Sequence, residues 1–170
     1  MQFGVQLYSL RARAEREGAE KVLSMVSAAG YDGVEFAGFY GKTPGEMKAL
    51  LEKYRLVGIS AHIRPEAVEE SLPYIDALGI RYVFIPWVGP EEFDSPEKYA
   101  AVAAAGEKAK ALLDARGVVF GYHNHAHEYA DGKDEIGRIT DALGIRAELD
   151  VFWATVAGKD AVAEMKRLAG

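Results

Sequence analysis

The sequence predicts an α/β chain of about six strand–helix units whose strands pair in parallel. Three observations predict it. Amphipathic stretches recur and end in glycine, a short β-rich run follows each of them, and single helices separate successive strands. Parallel neighbours need a crossover connection, and a helix between every two strands supplies one.

The first strand is expected from roughly Phe3 to Ser9, directly after Met1-Gln2. Val22, Val26 and Ala29 then share one helical face before Gly30, and Val34-Glu35-Phe36 reads as the second strand. Thr43-Pro44-Gly45-Glu46 is a capping box with proline at the first helical position. Its helix carries Met47, Leu50, Leu51 and Tyr54 inward and is expected to end at Val57-Gly58, before Ile59-Ser60-Ala61-His62. Pro73 is expected to open the third helix near Ser71, because an interior proline removes a hydrogen bond. Leu78-Gly79 ends that helix, and Tyr82-Val83-Phe84-Ile85 is the fourth strand. Asp94-Ser95-Pro96-Glu97 caps a helix with Tyr99, Val102, Gly106, Ala109 and Leu113 on one side. After Arg116-Gly117 the fifth strand runs through Val118-Val119-Phe120 to Tyr122-His123-Asn124-His125. Ile136, Ile139, Thr140 and Leu143 mark the next helix, and Gly144 precedes Arg146-Ala147-Glu148-Leu149-Asp150. The segment Ala-Leu-Gly-Ile-Arg occurs at both Ala77 and Ala142. The glycines stand about 28 residues apart on average, so the 170 residues hold about six units. A closed eight-unit barrel typically takes ~250 residues. One domain is expected over 1–170, with the sixth helix ending at Leu168-Ala169-Gly170.

Composition narrows the function classes. Nearly half the chain is hydrophobic, which allows a sizeable core. Without cysteine there are neither disulfides nor thiolate metal sites. A net charge of −6 with no Lys/Arg cluster argues against nucleic-acid and anionic-membrane partners. No signal peptide and no run of membrane-spanning length is seen, so the expected location is cytoplasmic.

The polar residues gather at the carboxyl ends of the strands, where parallel α/β folds place their chemistry. Gln6, Tyr8 and Ser9 end the first strand, Glu35 lies on the second, His62 ends the third and Trp87 follows the fourth. Residues two apart on a strand share a face, so His123 pairs with His125 and Glu148 with Asp150. His127 and Glu128 come just beyond. Imidazole and carboxylate together suit one divalent ion such as Mn²⁺, Zn²⁺ or Co²⁺. Glu148 also suits a carboxylate that orients its neighbours. Trp87 and Trp153 suit either packing or a substrate platform.

Four pieces carry a resemblance. They are Gly4-Val5-Gln6-Leu7-Tyr8-Ser9-Leu10-Arg11, Gly30-Tyr31-Asp32-Gly33-Val34-Glu35-Phe36, Gly121-Tyr122-His123-Asn124-His125 with Glu128, and Glu148-Leu149-Asp150-Val151-Phe152-Trp153. The chain resembles the sugar phosphate isomerase/epimerase group of the xylose-isomerase-like TIM-barrel superfamily. The resemblance implies a parallel (β/α) TIM-barrel-like fold, incomplete relative to eight units because the last two are not in the sequence. It implies one divalent metal on His123 and Asp150, with His123 standing where many members carry glutamate. It implies proton transfer between adjacent carbons of a sugar or sugar phosphate through an enediolate, with Glu148 as the candidate catalytic carboxylate. Glu35, His62, Trp87, His125, Glu128 and Trp153 are the expected substrate contacts. The partner would be a small sugar or polyol, and an oligomer would cover the open strand edges. A dehydratase or lyase on a keto-inositol-like polyol, a nuclease of the AP-endonuclease type, and a non-catalytic fragment or interaction module are the alternatives.

Overall fold

The computed structural model describes residues 2–169; Met1 of the opening run and Gly170 of the final helix lie outside the described residues. Six strands are found among them: β1 (Gly4–Gln6), β2 (Gly33–Phe36), β3 (Val57–His62), β4 (Tyr82–Ile85), β5 (Val119–His123) and β6 (Arg146–Glu148). They follow one another through one sheet in chain order. The β1–β2, β2–β3 and β5–β6 pairings are parallel, as the alternation of strands and helices predicts. The chain forms two compact units. One runs to Ile63 and includes Glu70–Val83; the other joins Arg64–Glu69 to the chain from Phe84 onward.

In the first unit β1 is shorter than expected. Leu7 is buried, and Leu7–Leu10 coils into a 3₁₀ turn that leaves Tyr8 and Ser9 exposed rather than in a strand. Gly18, at φ 84°, divides the first helix into α1 (Arg11–Glu17) and α2 (Ala19–Ala28). Val22, Leu23 and Val26 are buried, whereas Ala29 falls at the exposed C-cap and not on the apolar face. The Thr43 capping box opens α3 (Pro44–Tyr54), which buries Met47 and Leu51. That helix ends on Arg55 in the left-handed region, not at Gly58. Gly58 lies within β3, where a Cβ would come 3.2 Å from the Leu78 carbonyl oxygen and 3.3 Å from the Phe36 ring. Close approach, rather than a helix end, explains that glycine.

Pro73 lies inside α4 (Val68–Leu78) and does not open it. The residue is exposed, so water can take the carbonyl that its missing N–H leaves. Gly79 and Gly144, the glycines of the repeated pentapeptide, both take positive φ, 65° and 58°, past the ends of their helices.

The second unit is built on α5 (Pro90–Asp94), α6 (Pro96–Asp114), α7 (Glu135–Leu143), α8 (Val151–Val156) and α9 (Ala161–Leu168). Ser95 caps α6 by accepting the Lys98 N–H, and Val102, Gly106, Ala109 and Leu113 face inward as their spacing predicts. Gly106 lets α7 approach: a Cβ there would meet Leu143 Cδ1 at 2.6 Å. The sixth strand stops at Glu148 instead of reaching Asp150, because Asp150 turns to cap α8 by accepting the Trp153 N–H. The expected sixth helix is two helices, α8 and α9. No helix among the described residues is long and apolar enough to cross a membrane.

Gly121 on β5 faces Phe84 Cδ1 at 2.7 Å and the Arg146 carbonyl oxygen at 2.8 Å from an ideal Cβ. Gly121→Ala should therefore push β6 or Phe84 aside and cost about 1–3 kcal/mol. A melting temperature unchanged in differential scanning calorimetry would contradict that packing.

Candidate functional site

In the first unit, strand register gathers one polar cluster. Gln6 of β1 and Ser60 of β3 both stand opposite Glu35 of β2. The Glu35 carboxylate accepts hydrogen bonds from Gln6 Nε2 at 2.8 Å and Ser60 Oγ at 2.6 Å. His62 Nε2 lies 3.2 Å from the same carboxylate. The His62 and Glu35 side chains are 7% and 12% exposed, so their charge and hydrogen bonds act in a poorly solvated place. Glu35 and His62, both expected at the substrate, thus meet each other here.

In the second unit, the β5–β6 register puts His123 opposite Glu148. His123 Nδ1 is 3.0 Å from Glu148 Oε2, and His123 Nε2 is 4.0 Å from Asp150 Oδ2. A carboxylate on Nδ1 selects the tautomer with its proton there, which turns the lone pair of Nε2 toward Asp150. Asp150 Oδ1 is bound to the Trp153 N–H at 3.0 Å, which leaves Oδ2 as the oxygen facing the imidazole. The side chains of Glu148 and Asp150 are about a quarter exposed, at 25% and 28%.

Asn124 was not anticipated as a site residue. Its Oδ1 accepts the Asp150 N–H at 2.7 Å and its Nδ2 donates to the Asp150 carbonyl at 3.2 Å. It is buried, and it fastens the end of β5 to the residue that follows β6. Strand alternation directs attention to His123 and His125 and passes over the residue between them.

Glu128, an expected substrate contact, lies in the 3₁₀ segment after β5 and is fully buried. Its Oε1 accepts the Tyr122 hydroxyl at 2.6 Å and its Oε2 accepts the His125 backbone N–H at 2.8 Å. Burial first, and the Glu128 carboxylate second, push the Tyr122 phenol far above its ordinary range, so it stays a neutral donor. His127, also unassigned from sequence, has Nε2 2.8 Å from the Val88 carbonyl oxygen. The Trp87 ring lies 4.7 Å from that of His125 and 4.3 Å from that of His127, and Trp153 lies 5.5 Å from His125. The two tryptophans therefore flank the imidazole of His125.

No known protein-family profile matches the chain, and no curated protein sequence does. Solved structures do match in fold. A sugar phosphate isomerase/epimerase from Parabacteroides distasonis superposes with a TM-score of 0.74 at 22% identity, over 98% of this chain and 71% of that one. An AP endonuclease of family 2 from Brucella melitensis gives 0.76 at 15% identity, over 100% of this chain and 76% of that one. D-allulose 3-epimerase from Methylomonas sp., solved with D-allulose, gives 0.67 at 16% identity, over 92% of this chain and 65% of that one. The chain thus shares the α/β, TIM-barrel-like fold of these structures, the fold class the sequence motifs imply. Its neighbours include both sugar-converting enzymes and an AP endonuclease.

Asn124→Ala removes both bonds to the Asp150 backbone and leaves its part-buried N–H and carbonyl without that partner. It should destabilise the chain by about 2 kcal/mol, read as a lowered urea midpoint. Asn124→Asp should remain destabilised, because a carboxylate cannot donate to the Asp150 carbonyl.

Proposed function

We propose that the β5–β6 end is a divalent-metal site of a sugar or sugar-phosphate isomerase/epimerase. The observation that carries this reading is the arrangement of His123 between two carboxylates. Glu148 Oε2 lies 3.0 Å from its Nδ1, and Asp150 Oδ2 lies 4.0 Å from its Nε2. Metal-binding histidines characteristically hand their second ring proton to a carboxylate. His123 Nε2 and Asp150 Oδ2 would hold the ion, each within reach of a cation coordinated at about 2.0–2.2 Å. When bound, such an ion supplies Lewis-acid polarisation of a substrate carbonyl or hydroxyl. Mn²⁺, Zn²⁺ and Co²⁺ all suit one imidazole with a carboxylate.

The remaining roles follow from the same geometry. Glu148 orients His123 and sets its tautomer, and we assign it this positioning role ahead of the proton-transfer role implied by the resemblance. Trp87, 41% exposed, and Trp153 offer apolar faces for the C–H face of a sugar ring. An acidic chain favours a small polyol over DNA, which would require a basic surface. D-allulose, the sugar bound to one neighbour, makes ketohexoses the first substrates to test.

Metal-stripped protein should gain stability on adding Mn²⁺, by about 2.7 kcal/mol at a hundredfold excess over the dissociation constant. Asp150→Ala should abolish that gain while keeping the circular-dichroism spectrum. With a ketohexose in D₂O, the metal-loaded chain should exchange the proton on the carbon beside the carbonyl, followed by NMR. A chain that neither gains stability with metal nor exchanges that proton would be a non-catalytic module.

Glu148→Gln separates the two roles of that residue. An orienting Glu148 predicts metal affinity weakened ~10–100-fold. Undiminished affinity with proton exchange lost would return it to proton transfer.

A further inference from the structure

We infer that His125, His127 and Glu128 form a second cation site, separate from His123 and Asp150, suited to Zn²⁺ or Co²⁺. The inference does not rest on the isomerase reading. One donor atom from each of the three residues lies within 4.8 Å of the other two. Glu128 Oε1 is 3.4 Å from His127 Nε2 and 3.9 Å from His125 Nδ1. Ligands held at about 2.0–2.1 Å in a tetrahedron stand roughly 3.3 Å apart, so one edge is already formed and the others close by small loop movements. Two imidazoles and one carboxylate are a donor set that zinc sites use with water in the fourth position.

The surroundings favour a cation. Glu128 is fully buried, and a buried carboxylate needs compensating positive charge. Its bonds to the Tyr122 hydroxyl and the His125 amide orient it, but both donors are neutral. Bonds of that kind hold a metal-binding carboxylate in place. A metal ion bound between the two imidazoles and Glu128 would supply that charge. The His125 and His127 side chains are 21% and 17% exposed, so an ion enters from their side. The Trp87 ring beside both imidazoles limits water. Binding requires His127 Nε2 to give up the Val88 carbonyl, a single neutral hydrogen bond.

Cobalt titration of the metal-stripped chain tests this, because Co²⁺ absorption in the visible reports its ligands. Asp150→Ala should remove the first site and still bind one Co²⁺ with an intense four-coordinate spectrum. Adding Glu128→Gln or His127→Gln should weaken that binding at least tenfold and abolish the spectrum, with near-ultraviolet circular dichroism confirming the fold. The same two substitutions in the otherwise unchanged chain should lower the bound cobalt by one equivalent. Failure of the Asp150→Ala chain to bind Co²⁺, or Co²⁺ binding that survives both second substitutions, overturns the site.

Discussion

Two hydrogen bonds between the Asn124 side chain and the Asp150 backbone fix the end of the β5–β6 pair, on which the geometry of the second unit's polar cluster depends. A parallel pair of three-residue register, as between β5 and β6, is easily frayed at its end. The Asn124 clip extends the pairing past the last strand residue, using an amide that gives and takes one bond each. His123 and Glu148 consequently stay opposite each other. Asp150 is delivered to the first turn of α8, where its Oδ1 caps the helix and its Oδ2 turns toward His123. One side chain with 1% exposure thereby sets the geometry of three more exposed neighbours.

Each unit holds a carboxylate largely away from water, and each solves the cost differently. Glu35 is surrounded by strand neighbours, so register alone brings it a Gln6 amide, a Ser60 hydroxyl and a His62 imidazole. Glu128 sits in the 3₁₀ segment after β5, where no register operates. There the solution is local in sequence: Tyr122, His125 and His127 all lie within six residues. A sheet-held carboxylate is rigid because several strands would have to move to release it. A loop-held one depends on a short stretch whose conformation its own hydrogen bonds determine.

That difference also decides what could be read from the sequence. The alternation of strands with helices and both proline caps rest on local spacing and turn chemistry, and these were legible. Gly58 was misleading because a glycine needed for close approach resembles one that ends a helix. Pro73 was misleading because exposure to water lets a helix tolerate what its interior would not. The clustering of imidazole with carboxylate at the end of β5 was legible through strand alternation. Alternation reports which side chains share a face and is silent on backbone clips and on depth. Asn124, Tyr122 and the burial of Glu128 fell outside it for that reason.

Histidine at position 123, where the resemblance implies glutamate, changes the electrostatics of the strand end. A carboxylate there would put three negative groups around one ion. With histidine there the near carboxylates are Glu148 and Asp150, and their two formal charges would match a divalent cation in the proposed site. Glu148 can then serve His123 as a hydrogen-bond acceptor, a service a glutamate at 123 would repel instead of accept. In the proposed site a nitrogen donor in place of an oxygen would also make the donor set softer, which would move preference from Mn²⁺ toward Zn²⁺ and Co²⁺. The pairing of Glu148 with His123 is thus a matched set: the imidazole needs the carboxylate for its tautomer, and the carboxylate can lie this close because the imidazole carries a proton to share.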